Sequence, residues 1–175
     1  MIDGVLTLFK TFIEIIFFYK GPRDIPNSSV LLLMVFVFWC LIGVIASIFM
    51  ESNQTGGLLF DLMLIVFGLA IYALIINSFG QSERIIRCFT AILGCSLIFS
   101  IVLLLAQVCL SAVLTSDETR LAVQIIWLWS IPVEGHIIAR TIDRHWVFGF
   151  LIAITVLFAQ LQLFVYLSPM FGSIS

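Results

Sequence analysis

Glu134, His136 and Arg140 are the residues of this chain best suited to chemistry. They share one apolar run between Trp127 and Trp146. An imidazole passes protons near neutral pH, and an acid in hydrocarbon can hold an ion or a proton. Their spacing restricts what they do together. Glu134 and His136 are two apart on a helix and face different ways, so no dyad forms within it. His136 and Arg140 are four apart and share a face. Pro132 leaves the carbonyl of Leu128 without its helical donor, and Gly135 lies just beyond. The spacing predicts a helix kink at Pro132, with Glu134 turned into a polar pocket rather than at lipid. Gly94, Cys95 and Ser96 are expected opposite, with Ser96 or Asn77 as polar company.

Asp61 is the second acid inside an apolar run. At 1.5 Å per residue it lies roughly 6 Å from one membrane face, and Glu134 lies roughly 9 Å from the other. In a core about 30 Å thick, roughly 15 Å separates them. That excludes paired-carboxylate catalysis, and Asp61 can equally reach the interface. Two readings of Glu134 stay open. In one it is neutral or paired and anchors helices, with His136 or Arg140 of another subunit, or a basic residue near the inner interface, as partner. In the other it is an ion or proton site beside a kinked helix.

No further chemistry is indicated. Cys40, Cys88, Cys95 and Cys109 form no Cys-x-x-Cys pair and read as small buried residues. His136 and His145 have no companion ligands for haem. Neither a nucleophile elbow, a phosphate-binding loop, a dinucleotide fingerprint nor a zincin helix occurs. The expectation is a protein that is not an enzyme and needs neither cofactor nor metal.

The elements that position these residues follow from composition. The chain of 175 residues is 62% hydrophobic and 10% charged, with mean hydropathy +1.24. Soluble domains carry about 25% charge. So much apolar surface belongs in a bilayer, as an all-α bundle. A net charge of −2 gives no reason to expect a nucleic-acid partner.

Five apolar runs, 29–50, 57–78, 88–114, 121–140 and 146–168, each approach the roughly 20 residues that cross a bilayer. They predict a five-helix transmembrane domain over 29–168, with a short external tail at 169–175. Residues 1–28 precede it. Asp3, Thr7, Lys10, Thr11 and Glu14 recur at helical spacing, with Phe9, Phe12, Ile13 and Ile16 around them. That pattern predicts an amphipathic helix over about 4–20 lying in the interface plane. Gly21, Pro22 and Pro26 then redirect the chain.

Charge gives the threading. Lys10, Lys20, Arg23, Arg84, Arg87, Arg140 and Arg144 fall on one side of a five-span chain, and only Arg120 on the other. The positive-inside rule puts the N-terminus in the cytoplasm and the C-terminus outside, with a bacterial inner (plasma) membrane as the expected location. Gly43 and Ser47, Ala91 and Cys95, Ser96 and Ser100, and Gly149 and Ala153 are small pairs at packing spacing. Gln107, Gln124, Gln160 and Gln162 suggest hydrogen bonds between helices.

The layout, with Tyr19, Lys20, Gly21 and Pro22 before the first span, resembles the Yip1-like family of five-span membrane proteins. That family has a Tyr-Gly-Pro element at this place; here a lysine is inserted, and Phe17 and Phe18 replace the preceding Asp-Leu. The resemblance implies binding to other membrane proteins rather than a reaction. The expected function is an accessory or scaffold protein whose partners are the lipid bilayer and other integral membrane proteins. The alternative is a small transporter or channel subunit with an ion or proton site near Glu134.

Overall fold

The computed structural model describes residues 2–49, 57–113 and 115–171. Within them the chain forms α1 (Ile2–Ile16), α2 (Ser29–Phe49), α3 (Gly57–Ser78), α4 (Ile85–Ser111), α5 (Ser116–Thr141) and α6 (Trp146–Phe171), with no strand. Single 3-10 turns at Pro22–Asp24 and Ser82–Arg84 join α1 to α2 and α3 to α4. Among the described residues four helices, α2, α4, α5 and α6, are long and apolar enough to cross a membrane. On α3 the apolar stretch Leu62–Ser78 is shorter. The expected loop 51–56 and the last residues of the tail, 172–175, lie outside the described residues.

Helix boundaries depart from the hydropathy pattern where capping decides. The fourth run was expected to start at 121, yet α5 starts at Ser116. Thr115 is the reason: its Oγ1 accepts from the Glu118 amide, and the Glu118 carboxylate accepts from the Thr115 amide at 3.0 Å. This reciprocal box satisfies two otherwise orphaned donors and extends the helix into polar sequence.

At the basic end, α1, α3 and α5 all finish alike. Phe18, Gly80 and Asp143 adopt left-handed backbone, with φ of 65°, 72° and 56°. The next residue of each then donates five positions back: Tyr19 to Glu14 (2.8 Å), Gln81 to Ile76 (3.1 Å) and Arg144 to Ala139 (3.0 Å). This is the hydrogen bonding of a Schellman end. Only Gly80 adopts it without steric cost; for other residues that conformation costs about 1–2 kcal/mol. Phe18 is held there by ring contacts, edge-on to His136 at 5.2 Å and to Trp129 at 5.9 Å between centroids. Asp143 is held by ion pairs.

Helix α4 is central. Cys88 and every residue from Thr90 to Cys95 are buried, so burial runs around its whole circumference. Helices α1, α2 and α5 all pack on it. Gly94 creates the groove for α1, because the Phe12 ring lies where a Cβ at Gly94 would be. The Cys95 thiol faces the Phe12 carbonyl at 3.8 Å. Gly94 is nine residues along α4 from Ile85, or roughly 14 Å at 1.5 Å per residue.

The C-terminal half of α1 therefore packs on the middle of α4. Phe12, Ile15 and Ile16 are buried. Thr11 joins them by donating its hydroxyl to its own chain at Thr7, 3.0 Å away. Of the expected polar stripe, Thr7 and Lys10 are exposed and Glu14 is half-buried. The Asp3 side chain lies outside the described residues.

The α5–α6 contact is a backbone approach. A Cβ on Gly135 would sit 2.7 Å from the Phe150 Cα, and one on Gly149 would overlap the Gly135 carbonyl and crowd Ala139. Gly135 thus serves close packing, where the sequence had suggested flexibility. Ala153, one turn beyond Gly149, is buried as its small-pair spacing predicted.

Candidate polar sites at the basic end of the bundle

Glu134 points across to α3. The Tyr72 hydroxyl donates to its carboxylate at 2.9 Å. Tyr72 is six residues before the end of α3 and Glu134 seven before the end of α5. At 1.5 Å per residue both lie about 10 Å from the basic end, so the pair is level. Tyr72 belongs to the buried apolar core, with Ile76, Cys88, Ala91, Ile92, Val133 and Ile137, and Glu134 is partly buried. Neither suggested companion takes part. Asn77 is exposed, and the hydrogen bond that the Glu134 carboxylate accepts comes from Tyr72 rather than from Ser96. Helix α5 runs unbroken through Pro132, without local unwinding.

His136 and Arg140 do share a face, as their spacing required, but neither meets Glu134 in a hydrogen bond or ion pair. The His136 Nε2 is 3.0 Å from the Lys20 carbonyl. A carbonyl only accepts, so that nitrogen carries the proton. His136 is 6% exposed and buttressed by Phe18. The Arg140 stem packs on Gly21, with its Cβ and Cγ each 3.4 Å from where a Gly21 Cβ would be. Gly21 and Pro22 are themselves buried. The Tyr19–Pro22 segment thus docks the linker onto α5. The Asp61 side chain lies outside the described residues.

Three segments converge on Asp143. Its carboxylate accepts from Arg84 at 2.7 Å and from Arg23, so both connections on this face are tied to the α5–α6 turn. Arg84 also donates to the Thr141 carbonyl at 3.0 Å. The hydrogen bond from Arg84, with the positive charges of Arg84 and Arg23, holds the Asp143 carboxyl below its ordinary range. Lys20 pairs with Glu14 at 2.7 Å. That hydrogen bond raises the ammonium pKa above its usual value.

An open cleft of about 480 Å³ lies beside this cluster. Phe18, His136, Arg140, Arg144, His145 and Trp146 line it, and Glu134 does not.

At the other end Gln160 behaves as expected. It donates to the Leu64 carbonyl at 3.0 Å, reaching it over Gly68 and linking α6 to α3. Gln124 and Gln162 are exposed. Of the cysteines, Cys88 and Cys95 are buried as expected, whereas Cys109 is exposed and Cys40 intermediate. Among the described residues no group of three His, Cys, Asp or Glu side chains is placed to hold a metal.

Tyr72 is the functional-looking residue that sequence reasoning missed. The depth counting applied to Asp61 and Glu134 would have found it, because Tyr72 is level with Glu134 on a neighbouring helix. The chain matches no family model, no curated protein and no solved structure.

Proposed function

We propose that this chain is a five-span membrane bundle acting as a non-enzymatic accessory or scaffold protein for other integral membrane proteins. The carrying observation is the use made of Glu134. An acid at this depth is expensive unless it serves transport or structure, and here it bonds Tyr72 and ties α3 to α5 within an apolar core. That is the geometry of a helix anchor. Outward, α2 offers a long apolar face to lipid or to partner helices, with Leu33, Met34, Val37, Phe38 and Leu41 all exposed. In this reading α3 is the fifth span and the Arg23–Asp143–Arg84 cluster faces the cytoplasm. The C-terminus is then external. The resemblance to Yip1-like proteins, carried by the proposed five-span layout and by Tyr19, Lys20, Gly21 and Pro22, implies the same role.

The test combines two measurements on protein purified from its native membrane in mild detergent. The proposal expects an integral membrane protein to co-purify in fixed stoichiometry and to lose abundance when this chain is deleted. It also expects reconstituted liposomes to show no ion or proton flux above empty vesicles. A chain that purifies alone and conducts, with flux abolished by Glu134→Gln, would establish the transporter alternative instead.

A further inference from the structure

We infer that the cleft between the α1–α2 linker and the α5–α6 turn binds a phosphate-bearing anion, with the headgroup of an anionic lipid as one source and free phosphate as the other. The first argument is charge left over. Every described acid bordering the cluster, apart from the exposed Glu83 on the Ser82–Arg84 turn, already has a partner. Asp143 holds Arg23 and Arg84, Glu14 holds Lys20, and Asp24 accepts from the Gly21 amide at 3.0 Å. Among the described residues no carboxylate lies within ion-pair distance of Arg140 or Arg144, and both line the cleft. Two guanidinium groups on one concavity are suited to phosphate oxygens, which they bind through paired hydrogen bonds.

The second argument is that the cleft is built. The Arg144 guanidinium sits 5.7 Å from the centroid of the Phe79 ring, a cation–π contact that restrains it without neutralising it. The Arg140 stem is packed on Gly21. His136 is fixed by the Lys20 carbonyl. His145 accepts from the Val147 amide through Nδ1 at 3.4 Å, so Nε2 carries the proton of the neutral ring as a further donor. Phe18 and Trp146 supply apolar walls, as suits a site at headgroup level, where aromatic rings concentrate. The volume of about 480 Å³ accommodates a phosphate with a glycerol-sized substituent.

The lipid source rests on the membrane placement proposed above; the phosphate chemistry does not. The test is native mass spectrometry of the full chain in non-ionic detergent. The probes are phosphatidic acid, phosphatidylglycerol and phosphatidylcholine with identical acyl chains, and separately inorganic phosphate. Arg140→Gln and Arg144→Gln should each weaken retention of the anionic lipids roughly tenfold, as expected for loss of one charged hydrogen-bonding group. Arg140→Lys should weaken it less, and Arg120→Gln, exposed near the start of α5 and far from the cleft, should leave it unchanged. Helical circular dichroism unchanged in the variants confirms that folding is not the cause. If inorganic phosphate alone binds with the same pattern of variant losses, free phosphate is the source and the site stands. Equal retention of phosphatidylcholine without phosphate binding, or equal losses in Arg120→Gln, would overturn the inference. Should either of the Arg140→Gln and Arg144→Gln variants fail to fold, the Arg140→Lys and Arg120→Gln comparison decides alone.

Discussion

The Tyr72 hydroxyl and the Glu134 carboxylate meet at 2.9 Å between α3 and α5, on residues 62 apart in sequence. Much of helix α3 faces outward: Leu74 and Val66 on it are 71% and 56% exposed, and Gln160 adds a polar tie by donating to its Leu64 carbonyl. In lipid no hydrophobic force presses helices together, so packing and such hydrogen bonds decide association. A double-mutant cycle of Tyr72→Phe and Glu134→Leu, read by reversible unfolding in bicelles, should give a coupling of about 1 kcal/mol. Glu134→Gln alone should be mild because the amide oxygen still accepts. Glu134→Leu should be worse, stranding the Tyr72 hydroxyl. Zero coupling would mean that the bond holds nothing.

The α5–α6 seam makes a second prediction. Gly149→Ala places a methyl group against the Gly135 carbonyl, and Gly135→Ala places one 2.7 Å from the Phe150 Cα. The opposing atoms are backbone and cannot turn aside. Each substitution should destabilise by about 1–3 kcal/mol, the usual range for overpacking. Gly4→Ala, with nothing within 4 Å, serves as the control and should be neutral. Thermal melts of the three variants in one detergent make the comparison.

Asp143 predicts a pH dependence. Its folded pKa lies below the ordinary 3.8 because of Arg84 first and Arg23 after it. A group with a depressed folded pKa contributes stability that is present above its unfolded value and lost as pH falls through the folded one. Wild type should therefore out-melt Asp143→Asn at neutral pH. The gap should close below about pH 3.8 as the wild-type carboxyl protonates. A gap that persists undiminished at low pH would assign the difference to the left-handed backbone at Asp143 rather than to its charge.

Sequence gave up the fold where one physical signal dominated. Run length fixed the positions of α2, α3 and α6 within a few residues, because lipid forces every backbone donor into a helix. Hydropathy alone misplaced the start of α5, since Thr115 and Glu118 make a cap that a hydrophobic average cannot register. For α1, periodicity shows a face but not what the face packs against, because the groove at Gly94 lies on another helix. At the site, the separation of Glu134 from His136 followed from helical spacing. The identities of their partners, Tyr72 and the Lys20 carbonyl, depend on contacts across 62 and 116 residues, which no local pattern encodes.

The basic cluster joins the account together, since Arg23, Arg84 and Asp143 bring three connections to one face. The most direct test is cysteine accessibility in intact cells. Cys40, Cys88, Cys95 and Cys109 are first replaced by alanine, and single cysteines are placed at Asp24, Ser82, His145 and Asp117. A membrane-impermeant maleimide is then added before and after permeabilisation. The account predicts labelling of position 117 from outside, and of 24, 82 and 145 only after permeabilisation. Labelling that divides 24, 82 and 145 between the two sides would contradict the five-span bundle, and the single basic face with it.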